Sequence, residues 1–463
     1  MSGPQRIVVV GGGYVGMYTA LRLQKKLSAG EVTITVVDPQ PNMTYQPFLP
    51  EAAAGSIEPR HVVVPLRKVL RKCTVLTGRV STVDAGRKIV TVLPVEGVPT
   101  ELPYDHLVLA PGAVARTLPV PGLAECGIGF GSVGEAIHLR NHVLSRLDVA
   151  STTDDPALRR RALTFVVVGG GYAGIEVFGE LEDMARAALR QHPRLSEKDM
   201  RWVLVEAADR VLPEVSPSMA DYTVGRLRKR GMEVLLGTRV SAMDGGHVVL
   251  TASMLDPASG SSAASEFDAD TIVWTAGVKA NPLAARSGLP VDARGRVQCD
   301  PELRVIGADG VWSAGDCAAV PDLSASGLTV CAPSAQHAVR QAKVLADNLR
   351  AAVRGRPVRG YRHKHVGSVA SLGLHKGVAE VYGIRLRGFL AWMLHRLYHL
   401  SRVPTVNRKV RVMGDWVLTF FCGREVVSLG QVEHPRRDWA AIVAEVESNP
   451  QITVPKPFSG TDR

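Results

Sequence analysis

Two copies of one pattern predict an α/β protein with two Rossmann-like units. IVVVGGGYVG at 7–16 and FVVVGGGYAG at 165–174 each run from a short β-branched strand through a glycine-rich loop into a helix candidate. A strand closing on an acid follows each loop, VTITVVD ending at Asp38 and RWVLVE ending at Glu206. The third observation is order along the chain. HLVLAPG, which ends the opening half of the first unit, is resumed beyond the second unit by GVWSAGDCAAV at 310–320, so the second unit is expected to be inserted into the first.

These signals place the first unit at 1–115 and 291–350, a Pro/Gly-marked linker with a helix near 132–147 at 116–160, and the second unit at 161–290. A C-terminal membrane-associating region takes up 351–463. At 463 residues the chain is too long for one core, and 46% hydrophobic residues supply ample apolar surface to bury.

The elements carry their reasons in order. In the first loop Gly11 permits a tight turn, Gly13 lets the backbone come close to a pyrophosphate, and Gly16 lets the helix sit against its strand; Gly169, Gly171 and Gly174 repeat this in the second. Sharp surface turns also use glycine, but two copies with a strand in front and a helix behind favour nucleotide binding. Asp38 and Glu206 stand where a ribose hydroxyl would be held. An acid there repels a 2'-phosphate, so Glu206 favours NADH over NADPH, a preference that Arg210 would soften.

LVLAPG and IVWTAG both end a strand in a small-residue turn, at Ala110, Pro111 and Gly112 and at Ala276 and Gly277, that can approach a bound nucleotide. Glu176 and Glu180 lie four apart, on one face of the helix behind the second loop, directed to where a nicotinamide would reach its acceptor; a pair of carboxylates near a positive helix end is the plainer reading. Asp316, between a strand and a helix candidate, is expected to accept from cofactor hydroxyls, with a helix N-cap as the alternative.

At 382–404, YGIRLRGFLAWMLHRLYHLSRVP repeats Ile384, Leu386, Leu390, Met393, Leu397 and Leu400 at short helical steps, with Arg385, Arg387, Arg396, His399 and Arg402 among them. This predicts an amphipathic helix lying on an anionic lipid surface, in preference to a core or dimer helix. The net charge of +11 suits anionic lipid or nucleic acid and does not by itself choose. Six cysteines, at 73, 126, 299, 317, 331 and 422, include no C-x-x-C pair, which argues against a structural zinc site or a redox dithiol; no metal is expected. MSGPQR leads straight into the first strand, leaving no room for an export signal, and no 18-residue apolar run offers a spanning helix.

With these motifs, and with NMTYQPFLPEAAAGSIEP at 42–59, GGGYAGIEVFGEL at 169–181, WTAGV, VIGADGVWSAGDCAA ending at Ala319 and APSAQHAVRQ at 332–341, the chain resembles the type II NADH:quinone oxidoreductases over almost its whole length. Its Ala/Val/Arg-rich usage is similar to actinobacterial members. The resemblance implies FAD in the first site, on Gly11, Gly13, Gly16 and Asp38, near Ala110, Pro111 and Gly112, with Asp316 on the ribityl chain and Gln46 and Pro47 along the isoalloxazine. NADH would take the second, on Gly169, Gly171, Gly174 and Glu206, with Ala276 and Gly277 at the nicotinamide end.

It further implies functional roles for Glu176 and Glu180 and a quinone contact for Gln336. Arg340 stands where many members have a second glutamine, and His337 reads as a structural histidine before a proton donor. The implied protein is a non-pumping enzyme on the cytoplasmic face of a bacterial plasma membrane. It passes a hydride to FAD N5 and two electrons to a quinone, menaquinone by the actinobacterial likeness, works as a homodimer and binds no nucleic acid. A soluble NADH-dependent flavoprotein reductase serving a protein electron carrier is the alternative. A sulfide:quinone oxidoreductase would need catalytic cysteine pairs that these positions do not offer, and a nucleic-acid-binding module would need a basic stripe away from the tail.

Overall fold

In the computed structural model, which describes residues 3–252, 265–324, 329–363 and 366–429, the strand Gln5–Val10 is central to the first sheet. Its Ile7–Val10 run is buried on both faces, as a strand flanked by parallel neighbours must be. Val32–Asp38 pairs with it on one side and His106–Leu109 on the other, all parallel. Beyond Val32–Asp38 the sheet continues into Thr74–Asp84, Ile89–Pro94 and Thr100–Pro103, the last three an antiparallel meander. The other edge is Val311–Ser313, parallel to His106–Leu109. The second sheet is wholly parallel, in the order Gly127–Gly129, Thr271–Trp274, Thr164–Val168, Arg201–Val205 and Glu233–Leu235.

Its edge strand Gly127–Gly129 comes from the segment read as a linker. Ala113–Ala115 leads out of the first unit and pairs antiparallel with Val278–Ala280 leading out of the second.

Seven helices position the site: α1 (Tyr14–Lys26), α2 (Leu49–Ala53), α3 (Val133–Thr152), α4 (Tyr172–Ala188), α5 (Ala335–Val353), α6 (Phe389–Arg402) and α7 (Val406–Cys422). α3 begins in a capping box, where the Ser132 hydroxyl accepts from the Glu135 N–H and the Glu135 carboxylate accepts from the Ser132 N–H, and it runs about a turn past the expected 147. α1 packs along α5, and α2 lies between α3 and α4.

The C-terminal region departs from expectation. In place of one helix over 382–404, Ile384–Arg387 is the last strand of an antiparallel three-stranded sheet with Gly367–Ser371 and Gly377–Val381, and α6 starts only at Phe389. Gly388, at φ +65°, makes the break, a conformation that side chains disfavour. Thr405 caps the start of α7, which the sequence reading did not find. Among the described residues no helix is long and apolar enough to cross a membrane.

Candidate functional site

The two glycine loops are built on one plan. Gly11 and Gly169 have φ of +98° and +111°, and their N–H groups donate to the carbonyls of Val37 and Val205, both at 2.8 Å. A Cβ on Gly16 or Gly174 would lie 1.8 Å from the carbonyl oxygen of Gly11 or Gly169, so neither position admits a side chain. A Cβ on Gly13 or Gly171 would meet nothing within 4 Å. Open space beside the second glycine, at a helix N-terminus, is what a pyrophosphate requires.

Asp38 accepts from the N–H groups of Gly12 at 2.6 Å and Gln40 at 2.7 Å, while Glu206 accepts from those of Gly170 at 2.5 Å and Ala208 at 2.7 Å. Burial pushes the Asp38 carboxyl above its ordinary range despite these donors. Arg210 turns back onto its own loop, donating to the Pro213 carbonyl at 2.7 Å. At the strand ends, Ala110 N–H donates to the Val10 carbonyl and Thr275 N–H to the Val168 carbonyl, which sets Ala110, Pro111 and Gly112 beside the first loop and Ala276 and Gly277 beside the second.

Asp316 distinguishes the first site. It lies inside the short turn Gly315–Cys317, whose cap position is Ala314, so the helix N-cap alternative does not hold. Its Oδ1 is buried and, among the described residues, receives no hydrogen bond; burial raises its carboxyl. A buried acceptor without a donor, next to an open pyrophosphate cradle, fits the hydroxyl-bearing ribityl chain of FAD. Gln46 and Pro47 form the turn Gln46–Phe48, with Gln46 Nε2 3.5 Å from the Gly131 carbonyl.

The α4 carboxylates do not stand free at a cleft. Glu176 Oε1 accepts from the Ser371 N–H at 3.0 Å and ion-pairs His395 Nε2 at 2.9 Å. Glu180, wholly buried, accepts from the Ser371 hydroxyl at 2.9 Å and pairs with Arg424 Nη2 at 2.7 Å. Burial pushes the Glu180 carboxyl up, but Arg424 and Arg396 outweigh it and hold it below its ordinary value. Glu182 pairs with Arg186 and Arg230. The sequence signal for His395 and Arg424 was weak because they arrive from more than 200 residues away, whereas Glu182 meets Arg186 on its own helix and Arg230.

Arg396 and His395, read from the sequence as part of a lipid-facing helix, are instead buried. Arg396 Nη2 meets Glu51 Oε2 of α2 at 2.6 Å, and Trp416 Nε1 of α7 donates to the same oxygen at 2.8 Å. The apolar surface that stays exposed on α6 is small, chiefly Phe389, Leu390 and Leu397. On α7 it is longer, with Val406, Val410, Met413, Val417, Leu418, Phe420 and Phe421, the last 78% exposed. Arg402 and Arg411 are exposed on the same pair of helices.

Gln336, at the start of α5, has an amide N–H engaged by the Gly367 carbonyl at 2.9 Å, and Arg340 Nη1 donates to its backbone carbonyl at 3.0 Å. His337 Nδ1 is 2.9 Å from the Tyr361 hydroxyl. All six cysteines are unpaired thiols, and no cluster of metal-ligating side chains occurs among the described residues.

Residues 5–342 match the pyridine nucleotide-disulphide oxidoreductase family and residues 365–425 the NDH2 C-terminal domain. A type II NADH:quinone oxidoreductase of Mycobacterium tuberculosis is 30% identical over 431 residues, covering 90% of this chain and 89% of that protein. One from Staphylococcus saprophyticus is 28% identical, covering 83% and 91%. The solved structure of NDH2 from Plasmodium falciparum in complex with NADH shares the fold, with a TM-score of 0.84 at 18% identity over 91% of this chain and 99% of that one.

Proposed function

This chain belongs to the type II NADH:quinone oxidoreductase family, and on that premise we propose that it oxidises NADH and reduces a membrane quinone, menaquinone being the expected one, without pumping protons. The observation that carries the reading is the pair of open pyrophosphate cradles, one of them beside the donorless buried Asp316 Oδ1. FAD held in the first would supply the chemistry that accepts a hydride and passes on two electrons.

The chain's own residues bind and orient. Gly11, Gly13, Gly16 and Asp38 hold the FAD pyrophosphate and ribose end, Asp316 the ribityl chain, and Ala110, Pro111, Gly112, Gln46 and Pro47 flank the ring. Gly169, Gly171, Gly174 and Glu206 hold NADH, with Ala276 and Gly277 at its nicotinamide end. Glu206 already accepts two backbone N–H bonds and keeps a carboxylate at the ribose end, which disfavours a 2'-phosphate; Arg210, tied to Pro213, does little to offset it. We read the second unit as an insertion at 161–290 between 1–115 and 291–350, with 116–160 as the link. We assign Gln336 to the quinone, with Arg340 donating to its backbone carbonyl.

Glu176 and Glu180 act by tying the C-terminal region to α4 through Ser371, His395 and Arg424. Membrane contact is made by the exposed stripe of α7 with the outer side of α6, in place of the single helix at 382–404. Attachment to the cytoplasmic leaflet and a homodimer complete the reading.

The test is anaerobic NADH oxidation by the FAD-loaded protein with a short-chain menaquinone analogue, with and without anionic liposomes. The triple variant V410S/V417S/F421S is run alongside. Quinone turnover in both proteins, with liposome co-sedimentation lost only in the variant, supports the reading. Flavin reduction by NADH without turnover on any quinone points to a protein electron acceptor instead.

A further inference from the structure

Gln336, at the start of α5, is held by a carbonyl from another part of the fold. Its Nε2 donates to the Gly367 carbonyl at 2.9 Å, and its Oε1 lies 3.5 Å from Arg340 Nη1, one turn further along α5. Turning the amide over would set its oxygen against the Gly367 carbonyl and its NH2 group against a guanidinium, so these two neighbours select one orientation. One N–H is spent on Gly367, and the second is left to donate to a carbonyl oxygen of a ligand.

Gly367 opens the strand Gly367–Ser371, which pairs antiparallel with Gly377–Val381 along its whole length. A Cβ on Gly367 would lie 2.2 Å from the Glu380 carbonyl oxygen, so no side chain separates this end of the strand from its neighbour. The other end, about 13 Å away at the rise of a β-strand, is fixed to α4. Ser371, 2% exposed, gives its N–H to Glu176 Oε1 at 3.0 Å and its hydroxyl to Glu180 Oε1 at 2.9 Å, while the hydroxyl oxygen accepts from the Gly373 N–H at 3.3 Å. The two glutamates stand one helical turn apart, so a single serine meets both. Directly beyond, a Cβ on Gly179 of α4 would lie 2.6 Å from the Leu372 carbonyl, and the Leu374 N–H donates to Asp183 Oδ2 at 2.6 Å.

We propose that Ser371 is a positioning residue for the quinone, acting through its strand on the Gln336 amide. The proposal rests on the assignment of Gln336 to the quinone above. A strand paired along its length moves as one piece, so the end tied to α4 sets where the Gly367 carbonyl stands, and that carbonyl sets the amide. Without the hydroxyl, Ser371 keeps only its N–H bond to Glu176, and the amide spreads over more positions. Quinone binding then weakens, whereas the two glycine cradles, which the strand does not touch, keep their geometry.

The test is a double-mutant cycle on the FAD-loaded full chain with S371A, Q336A and S371A/Q336A, measured with NADH and a short-chain menaquinone analogue. S371A is expected to raise KM for the analogue about fivefold or more, with kcat and anaerobic flavin reduction by NADH within about twofold of the unsubstituted protein. In the Q336A background the same substitution is expected to change KM by less than about twofold, because the group it acts through is gone. Where S371A loses FAD, S371C, close in volume and a much weaker donor, carries the same cycle. An unchanged KM in S371A, an equal fall in both half-reactions, or the same factor with and without Gln336 each overturn the proposal. A Q336A protein with an unchanged KM for the analogue overturns the assignment of Gln336 itself, and the two failures are told apart there.

Discussion

The first and second nucleotide loops are near copies in backbone geometry, yet the helices that leave them are covered in opposite ways. α1 buries Val15, Met17, Ala20 and Leu23, is laid against α5, and reaches a charge only at its rim, where Arg22 meets Asp347 at 2.8 Å. α4 buries three acids: Glu176 and Glu180 are met by His395 and Arg424 of the C-terminal region, and Glu182 by Arg230 and by Arg186 of α4 itself. A buried carboxylate without a partner is strongly unfavourable, so α4 cannot be packed away unless the C-terminal region is in place. The cradle is therefore a local, repeatable device, and what separates the two units is what is laid over the helix behind it.

The largest expected effect tests that dependence. R424M leaves the Glu180 carboxylate buried and facing an apolar side chain, and should lower the urea-unfolding free energy by about 3–5 kcal/mol. The double variant E180L/R424M should recover most of it, because the pair is then replaced by apolar groups. A loss under about 1 kcal/mol in R424M would mean that α4 does not need its C-terminal cations, and the contrast between the helices would disappear.

On the other side of the comparison, D316N should act with opposite signs on the apoprotein and on flavin retention. Removing a carboxylate whose buried Oδ1 has no donor among the described residues should stabilise the apoprotein at neutral pH by about 1–3 kcal/mol, while the flavin content after gel filtration falls. The sign follows from linkage. A carboxyl raised by burial binds more protons folded than unfolded, so the apoprotein loses stability as pH rises from the ordinary carboxyl range through the raised value, and the asparagine removes that slope. Flavin content unaffected by D316N would remove Asp316 from the first site.

The smallest effect concerns the second loop. E206A should raise KM for NADH about tenfold, the equivalent of one charged hydrogen bond lost to the ribose, and narrow the preference over NADPH. KM values measured with both nucleotides decide this. An unchanged ratio would show that the acid serves only the Gly170 and Ala208 N–H groups.

Legibility followed distance along the chain. The loops, their acids and the strand ends could be read because each depends on residues within about 40 positions, and the geometry of a tight turn admits few side chains. The helix at 382–404 was misplaced because periodicity cannot tell an apolar face that meets lipid from one that meets protein. Arg396 and His395 sit among leucines and aromatics for the sake of Glu51 and Glu176, not of a headgroup. α7 went unread although Val406, Val410, Met413 and Val417 recur at helical spacing, since Lys409, Arg411 and Asp415 interrupt the run.

By itself the sequence determined that two parallel-stranded nucleotide cradles exist, and where, since backbone sterics and strand burial are local matters. Only the tertiary structure decided that Glu176 and Glu180 of α4 face His395 and Arg424 from the far end of the chain, that Asp316 Oδ1 has no donor among the described residues, and that the exposed apolar stripe belongs mainly to α7. The physical reason is common to all three. A buried charge, an unmet acceptor and a bare apolar face are defined by which atoms are missing or present around them, and those atoms are supplied by segments that only folding brings together.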